Sequence, residues 1–197
     1  MKNDDASIDG LNEKALYIML SYTGTFASRL IKNVRKSKYA HSSIAFDENL
    51  NEMYSFARRV LYFPLIAGFI KEDIDDGVFK MLPKSECKVL KINVSEEEYE
   101  AARQKIFKFL AEYDKYKYGF INAVAINFNI KLKRKYKYVC SQFVAEMIND
   151  CTDVQLPKDP WLMTPADFEK IGEAVPIYEG LVNQYRSSRK LKIPKTA

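Results

Sequence analysis

A cysteine and the only histidine of the chain stand in two separate stretches whose residue types suit thiol chemistry. His41 opens an alternating segment that ends at Phe46, and Cys140 stands at the start of an apolar pattern with helical spacing. An imidazole can take the proton of a thiol, and the resulting thiolate is a nucleophile that forms an acyl-thioester. If the two side chains meet in the fold, they predict a hydrolase or an acyltransferase.

Cys140 has more features of a nucleophile than the other two cysteines, Cys87 and Cys151. A thiol at a helix N-terminus faces unpaired backbone amides, whose partial positive charge favours the thiolate. The same amides, of which Ser141 supplies the nearest, can hold an oxyanion. Cys87 begins a strand pattern, and Cys151 lies near a helix C-terminus, where the dipole disfavours a thiolate. The alternative for any one cysteine is a small, buried apolar side chain.

Local sequence patterns predict the strands that must position the histidine. Residues 15–22 form an apolar run rich in strand-forming residues. Residues 42–46 and 52–56 are typical of two strands joined by a turn, and we expect a hairpin with His41 at its start.

The predicted helices have clear starts. Ser95 and Glu98 form a capping box, which predicts a helix that ends near residue 114. A short, well-buried helix is predicted over residues 120–128, and a longer one from Cys140 to about residue 150. Thr164, followed by a proline, predicts one more helix start.

Three further segments have weaker patterns. Residues 26–36 have helical spacing with basic side chains on one side, which predicts a basic amphipathic helix. Residues 58–76 contain Pro64 and Gly68, which indicate an irregular excursion. Such an excursion can form a wall of a cleft. Residues 78–82 are typical of a strand.

The composition predicts one domain. The chain has 197 residues, of which 47% are hydrophobic, so residues 13–185 can build a single core between a disordered lead-in, 1–12, and a basic tail, 186–197. The formal charge is +5, and part of it lies in the run 131–137. Such a run can contact anionic lipid, so peripheral membrane contact is one interpretation, but no nucleic-acid-binding motif accompanies it and no nucleic acid is expected.

The cysteine and histidine content excludes other classes of protein. Three scattered cysteines make no disulfide framework, and a single histidine offers no ligand cluster, so we expect neither a metal nor a cofactor.

The polar N-terminus lacks the apolar core of a signal peptide, and no apolar run is long enough to cross a bilayer. These features predict a cytoplasmic protein, and the oligomeric state stays open.

Several of these segments, in this order, resemble the circularly permuted branch of the NlpC/P60 superfamily of papain-like cysteine hydrolases, most closely the YiiX/YebB-like group. Residues 22–31 resemble the segment after the first strand of that family, and residues 37–44 contain its Tyr-x-His pattern. Residues 138–144 resemble its Tyr-x-Cys-Ser-(Glu/Gln)-x-Val pattern at the start of a helix. Residues 164–165 match its downstream helix start.

The resemblance implies a fold, an activity and a set of roles. The implied fold is α+β and permuted papain-like, with a small antiparallel sheet packed against helices. Cys140 would be the nucleophile, and His41 would be the general base and later the acid. Relatives orient the histidine with a polar residue on the next strand, often a glutamate. By hairpin length that position falls at or beside Ser55, and Glu52 could serve only in another register.

Tyr22 is a further candidate, because a phenol after the first strand can line the cleft or help to bind an oxyanion. A structural role, with the ring packed and the hydroxyl in water, is the alternative.

Three functions remain open at this point. The first is a cysteine hydrolase, of amidase or peptidase type, that acts on a small peptide or amide. The second is an acyltransferase or phospholipase that acts on a lipid-like acyl substrate. The third is a binding module with a catalytically weakened site, which is favoured by the lack of a predicted carboxylate beside His41.

Overall fold

A computed structural model describes residues 14–24, 38–60 and 63–190, which form a mixed α/β structure around one sheet. The eight strands are β1 Lys14–Tyr22, β2 His41–Ala45, β3 Met53–Val60, β4 Phe63–Glu72, β5 Glu86–Val94, β6 Lys117–Tyr118, β7 Lys137–Tyr138 and β8 Val175–Leu181. Their order is β7-β6-β4-β3-β2-β1-β5-β8. The described strand pairs are antiparallel except β6–β7.

Five helices and four 3-10 turns complete the described part of the chain. The helices are α1 Gly77–Met81, α2 Glu96–Ala111, α3 Phe120–Asn127, α4 Cys140–Cys151 and α5 Tyr185–Lys190, and the 3-10 turns are Tyr113–Lys115, Pro160–Leu162, Pro165–Lys170 and Val182–Gln184. The predicted capping box is confirmed, since Ser95 Oγ accepts from the Glu98 amide at 3.2 Å and Glu98 accepts from the Ser95 amide at 2.7 Å. Thr164 does begin a helical segment, but it is a 3-10 turn.

Alternation along the strands divides the buried side chains between the two faces of the sheet. In β1, Leu16, Ile18 and Leu20 belong to one core, whereas Tyr17 and Met19 belong to a second core on the other face. Helices α2 and α4 cover the first core, and α4 contacts β2 and β3. This packing holds the N-terminus of α4 close to the strand that carries His41.

Much of the segment 58–76, predicted to be an irregular excursion, instead continues the sheet, since residues 58–60 end β3 and residues 63–72 form β4. The ladder shifts register between Arg58 and Val60, and Pro64 lies at this irregular end, where a missing N–H is tolerated. Farther along β4, a Cβ on Gly68 would lie 2.5 Å from a backbone carbonyl oxygen of the segment before β6. Pro64 therefore lies at the irregular end of β4, and Gly68 lies where β4 closely approaches the segment before β6.

Residues 78–82, predicted as a strand, lie in and just after α1. Phe79 is buried in the second core, whereas Met81 is exposed. So few apolar residues do not distinguish one helical turn from a short strand, which explains the wrong prediction.

The prediction of a well-buried helix over residues 120–128 is correct for the helix and wrong for its burial. Asn122, Ala125 and Ile126 of α3 are buried, but Phe120 and Ile121 are 46% and 60% exposed. A helix that is apolar on every side does not show in its sequence which side will be covered.

The predicted boundaries of the domain can be compared with the described residues only at the C-terminus. Helix α5 continues past residue 185, and Arg186 donates to Asn49 and Asn51 and forms an ion pair with Asp75. The folded part therefore extends beyond the predicted start of the tail. The lead-in 1–12 and the basic helix 26–36 lie outside the described residues.

Candidate active site

His41 is the first residue of β2 and pairs with Ser21 at the end of β1. Its Nε2–H donates to Oε1 of Glu72 at 2.7 Å, because an ionised carboxylate only accepts hydrogen bonds. The side chain is 22% exposed, so part of it contacts solvent. With Nε2 taken by Glu72, Nδ1 is the nitrogen that can exchange a proton with a nucleophile.

Cys140 is the first residue of α4, as predicted from the sequence. The side chain of Gln142 accepts from the amide of Val139, the residue before the helix, at 3.3 Å. Asn122 of α3 donates to the same Gln142 oxygen at 3.0 Å, which ties the start of α4 to α3. The first-turn amides of the helix have no intrahelical partner, so they can stabilise negative charge beside the thiol.

The electrostatics of the site couple the Cys140 thiol to the His41 ring. Burial raises the pKa of Cys140, but the charge of His41 and hydrogen bonds with His41 and Ser42 outweigh burial, and the pKa is lowered. Burial lowers the pKa of His41, but the charges of Glu72 and Cys140 raise it well above its ordinary value. Burial likewise raises the pKa of Glu72, but the charge of His41 and hydrogen bonds with His41, Ser55 and Ser43 outweigh burial, and the pKa is lowered.

Each of these three shifts favours the charged form of its group, which is the thiolate of Cys140, the imidazolium of His41 or the carboxylate of Glu72. The structure therefore brings the two side chains singled out from the sequence into one electrostatic unit, with Glu72 as its third member.

The residue that orients His41 is Glu72. The prediction of Ser55 as the third member of the site is therefore wrong. Ser55 hydrogen-bonds to Oε1 of Glu72, and Ser43 donates to Oε2 at 3.1 Å. Ser55 therefore fixes the carboxylate that contacts the histidine. Glu52, the other carboxylate considered, accepts instead from Arg103 at 2.8 Å.

A carboxylate beside the histidine removes the reason for expecting a weakened site. Glu72 was missed because it lies 31 residues after His41 in the chain and on a strand that was predicted to be irregular. Its position depends on the β3–β4 register, in which Glu72 pairs with Met53. The usable signal was a carboxylate at the end of the apolar run 63–72.

The other two cysteines have environments that disfavour a thiolate. Cys87 is buried in β5, and burial raises the pKa of its thiol to about 12. Cys151 ends α4, and burial raises the pKa of its thiol as well. Only Cys140 therefore combines a lowered pKa with a position at a helix N-terminus.

Ser42 is a site residue that was not singled out from the sequence. It lies next to His41 on β2 and is fully buried. Its backbone and hydroxyl both favour the thiolate of Cys140 and lower the pKa of that thiol. The hydroxyl is buried without a hydrogen-bond partner among the described residues, so it is available to donate to a thiolate.

The two residues proposed for the oxyanion or the cleft have different surroundings. The Ser141 hydroxyl donates to the Met163 carbonyl at 2.7 Å, so its side chain anchors the following segment and only its backbone amide can face an oxyanion. Tyr22 ends β1 one residue after the partner of His41 and packs, partly buried, against the first core. It therefore lies at the His41 end of the sheet, at its rim.

A cleft of about 110 Å³ opens on Cys140. Its lining is mostly apolar, and α3 forms one wall through Ala123, Val124 and Asn127. The other lining residues are Ala40, Tyr118, Val139, Ser141 and Pro165. A small acyl group fits the volume and the lining of this cleft.

Two other kinds of feature are absent from the described residues. Within residues 14–24, 38–60 and 63–190, no cluster of three or more His, Cys, Asp or Glu side chains is placed to bind a metal ion. In the same ranges no helix has the length and apolar character needed to span a bilayer.

Comparison with family models, with curated proteins and with solved structures found no match to this chain. The resemblance of its motifs to the permuted NlpC/P60 branch therefore stays a prediction.

Proposed function

We propose that this chain is a cysteine hydrolase with a permuted papain-like fold, which cleaves an amide or peptide bond through an acyl-thioester. The observation that carries the proposal is the contact chain from Cys140 through His41 to Glu72. Each charged member of this chain lowers the free energy of the charged form of its neighbour. Such a unit maintains a nucleophile at neutral pH, which a structural cysteine does not need.

In the acylation step, the Cys140 thiolate attacks the carbonyl carbon and forms a tetrahedral oxyanion. Backbone amides at the first turn of α4 stabilise that charge. The His41 imidazolium then gives its proton to the leaving amine, and the C–N bond breaks. The products of this step are a free amine and an acyl-thioester on Cys140.

In the deacylation step, neutral His41 takes a proton from water, and the hydroxide attacks the thioester carbonyl. The C–S bond breaks, and the acid product leaves. Glu72 keeps the ring oriented and stabilises its positive charge in both steps.

A lipid-like acyl donor is the second candidate substrate, and the apolar lining of the cleft favours it. The acyl-enzyme would be the same, but the bond cleaved would be an ester, and the acceptor would be water or a second alcohol or amine. Rates measured with esters of increasing acyl length separate the two, since apolar binding predicts a rise with each added methylene.

The nucleophile is tested by alkylation with iodoacetamide at pH 6, read by peptide mass spectrometry. We expect Cys140 to react at least about tenfold faster than Cys87 or Cys151, because only a thiolate reacts well. We expect His41→Ala to slow this reaction. The denatured chain is the control and should label all three cysteines alike.

Equal labelling of the three cysteines in the folded chain, unchanged by His41→Ala, would contradict the proposal. Turnover is tested with a mixture of peptides and acyl amides, with Cys140→Ala as the inactive control. A reactive Cys140 without any hydrolysis that depends on it would leave acyl transfer to another acceptor as the better assignment.

A further inference from the structure

Helix α3 and the turn that follows it expose a row of large apolar side chains beside the cleft. Their exposed fractions are 46%, 60%, 56%, 72% and 55% for Phe120, Ile121, Val124, Phe128 and Ile130. Ile121, Val124 and Phe128 follow helical spacing and so share one face. Val124 also lines the cleft, so this apolar face continues to the opening above Cys140.

A second apolar element lies at the same end of the sheet. Val60, at the end of β3, and Phe63 and Ile66, in the first half of β4, are 37%, 61% and 50% exposed. Strand β2 begins at His41 and the antiparallel strand β3 ends at Val60, so these side chains lie at the end of the sheet where the site lies. Strand β6 is antiparallel to β4 and leads the chain toward this end as it enters α3.

Basic residues follow the apolar row directly. The run 131–137 contains five lysines and arginines and no acidic residue. Lys133 and Lys135 are exposed, and their ammonium groups lie over the rings of Trp161 and Tyr136 at 5.2 Å and 5.0 Å. This basic run and the apolar row on α3 together are called the docking surface below.

We propose that the docking surface binds an anionic phospholipid bilayer and turns the Cys140 cleft toward the membrane. Exposed apolar side chains enter the boundary between headgroups and acyl chains, while nearby lysines attract the anionic headgroups. The two features are adjacent here, as this mode of binding requires. The inference concerns binding and stands independently of the chemistry at Cys140.

Charge argues against two other occupants of this surface. A second copy of the chain, packed through the same face about a two-fold axis, would bring the two basic runs close together. Nucleic acid would use the basic run but would leave the apolar row in water. An anionic bilayer satisfies both parts of the surface.

The test is co-sedimentation of the full chain with vesicles of phosphatidylcholine alone or mixed three to one with phosphatidylglycerol. We expect binding to the anionic vesicles at about 50 mM salt, little binding to the neutral ones, and release at about 500 mM salt. We expect the variant with Ile121→Ser and Phe128→Ser to bind about tenfold more weakly, because it loses two inserting side chains. We expect Lys133→Gln with Lys135→Gln to weaken binding by a similar factor.

Control variants lie at the opposite edge of the sheet. Val175 of β8 is 58% exposed and Lys91 of β5 pairs with it, and Val175→Ser and Lys91→Gln should leave vesicle binding unchanged. A circular dichroism melt of each variant checks its folding.

Three outcomes would overturn the proposal. The first is a wild-type chain that does not bind anionic vesicles at low salt. The second is binding that changes as much in the controls as in the variants of the docking surface. The third is a dimer in sedimentation velocity that Ile121→Ser with Phe128→Ser converts to a monomer, which would assign the face to a second copy. None of these outcomes depends on the reactivity of Cys140, so the proposed chemistry is judged separately.

Discussion

Replacing Glu72 with glutamine tests the electrostatic unit, because it removes one charge and changes the shape of the side chain very little. The Glu72 Oε1 atom lies 2.7 Å from Nε2 of His41, and the side chains are only 7% and 22% exposed. Charge centres about 4 Å apart interact by about 4 kcal/mol at an effective dielectric constant near 20. This energy corresponds to at most about 3 pKa units, and solvent at the partly exposed side chains weakens the interaction. We therefore expect Glu72→Gln to lower the pKa of His41 by about 1 to 3 units.

The direction of the change decides which limb of a pH profile moves. The pKa of His41 is raised and that of Cys140 is lowered, and both shifts widen the pH range in which the charged pair can exist. Loss of Glu72 destabilises the imidazolium and so lowers the upper pH limit of the charged pair. The lower pH limit is set by the ionisation of the Cys140 thiol beside a protonated ring, and it stays nearly unchanged. The alkaline limb of activity should therefore shift to lower pH by about 1 to 3 units, while the acid limb stays.

The assay benefits from the single histidine in the chain. With ¹³C-labelled histidine, one Cε1–H resonance reports the titration of His41 without any assignment step. In the wild type we expect a midpoint well above the ordinary value of 6.5. In Glu72→Gln we expect it about 1 to 3 units lower.

Glu52→Gln is the matched control, because Glu52 is the carboxylate that Arg103 binds instead, and it should leave the His41 midpoint unchanged. A wild-type midpoint near 6.5, or a Glu72→Gln midpoint equal to that of the wild type, would refute the reasoning.

Two further substitutions test the burial of charge and the role of Ser141. His41→Ala leaves Glu72 buried without a cation, so urea unfolding at pH 7 should show a loss of about 3 to 5 kcal/mol. Without the histidine the folded-state pKa of Glu72 lies above its unfolded value, so this loss should shrink as the pH falls toward 4, and a constant loss would contradict the ion pair. Ser141→Ala leaves the buried Met163 carbonyl without its 2.7 Å donor and should cost about 1 to 3 kcal/mol. It should leave the alkylation rate of the reactive thiol unchanged, and a large fall in that rate would give the hydroxyl a direct role.

Local chemistry determined the parts of the site that could be predicted from the sequence. The helix that starts at Cys140, the strand that starts at His41 and the capping box at Ser95 each depend on residues a few positions apart. Periodicity and capping act over that range, so single segments show them. The choice of Cys140 over Cys87 likewise followed from its place at a helix start.

Only the tertiary structure decided the partner of the histidine and the exposure of α3. Glu72 reaches His41 through a β3–β4 register that no local pattern encodes. Pro64 and Gly68 are residues that argue against a strand in the sequence, so β4 was not predicted. The apolar row of α3 is exposed because that helix lies beyond the short strand β6 near the sheet edge, where no other described element covers it. Strand register and edge position depend on contacts between distant segments, so they are properties of the assembled fold.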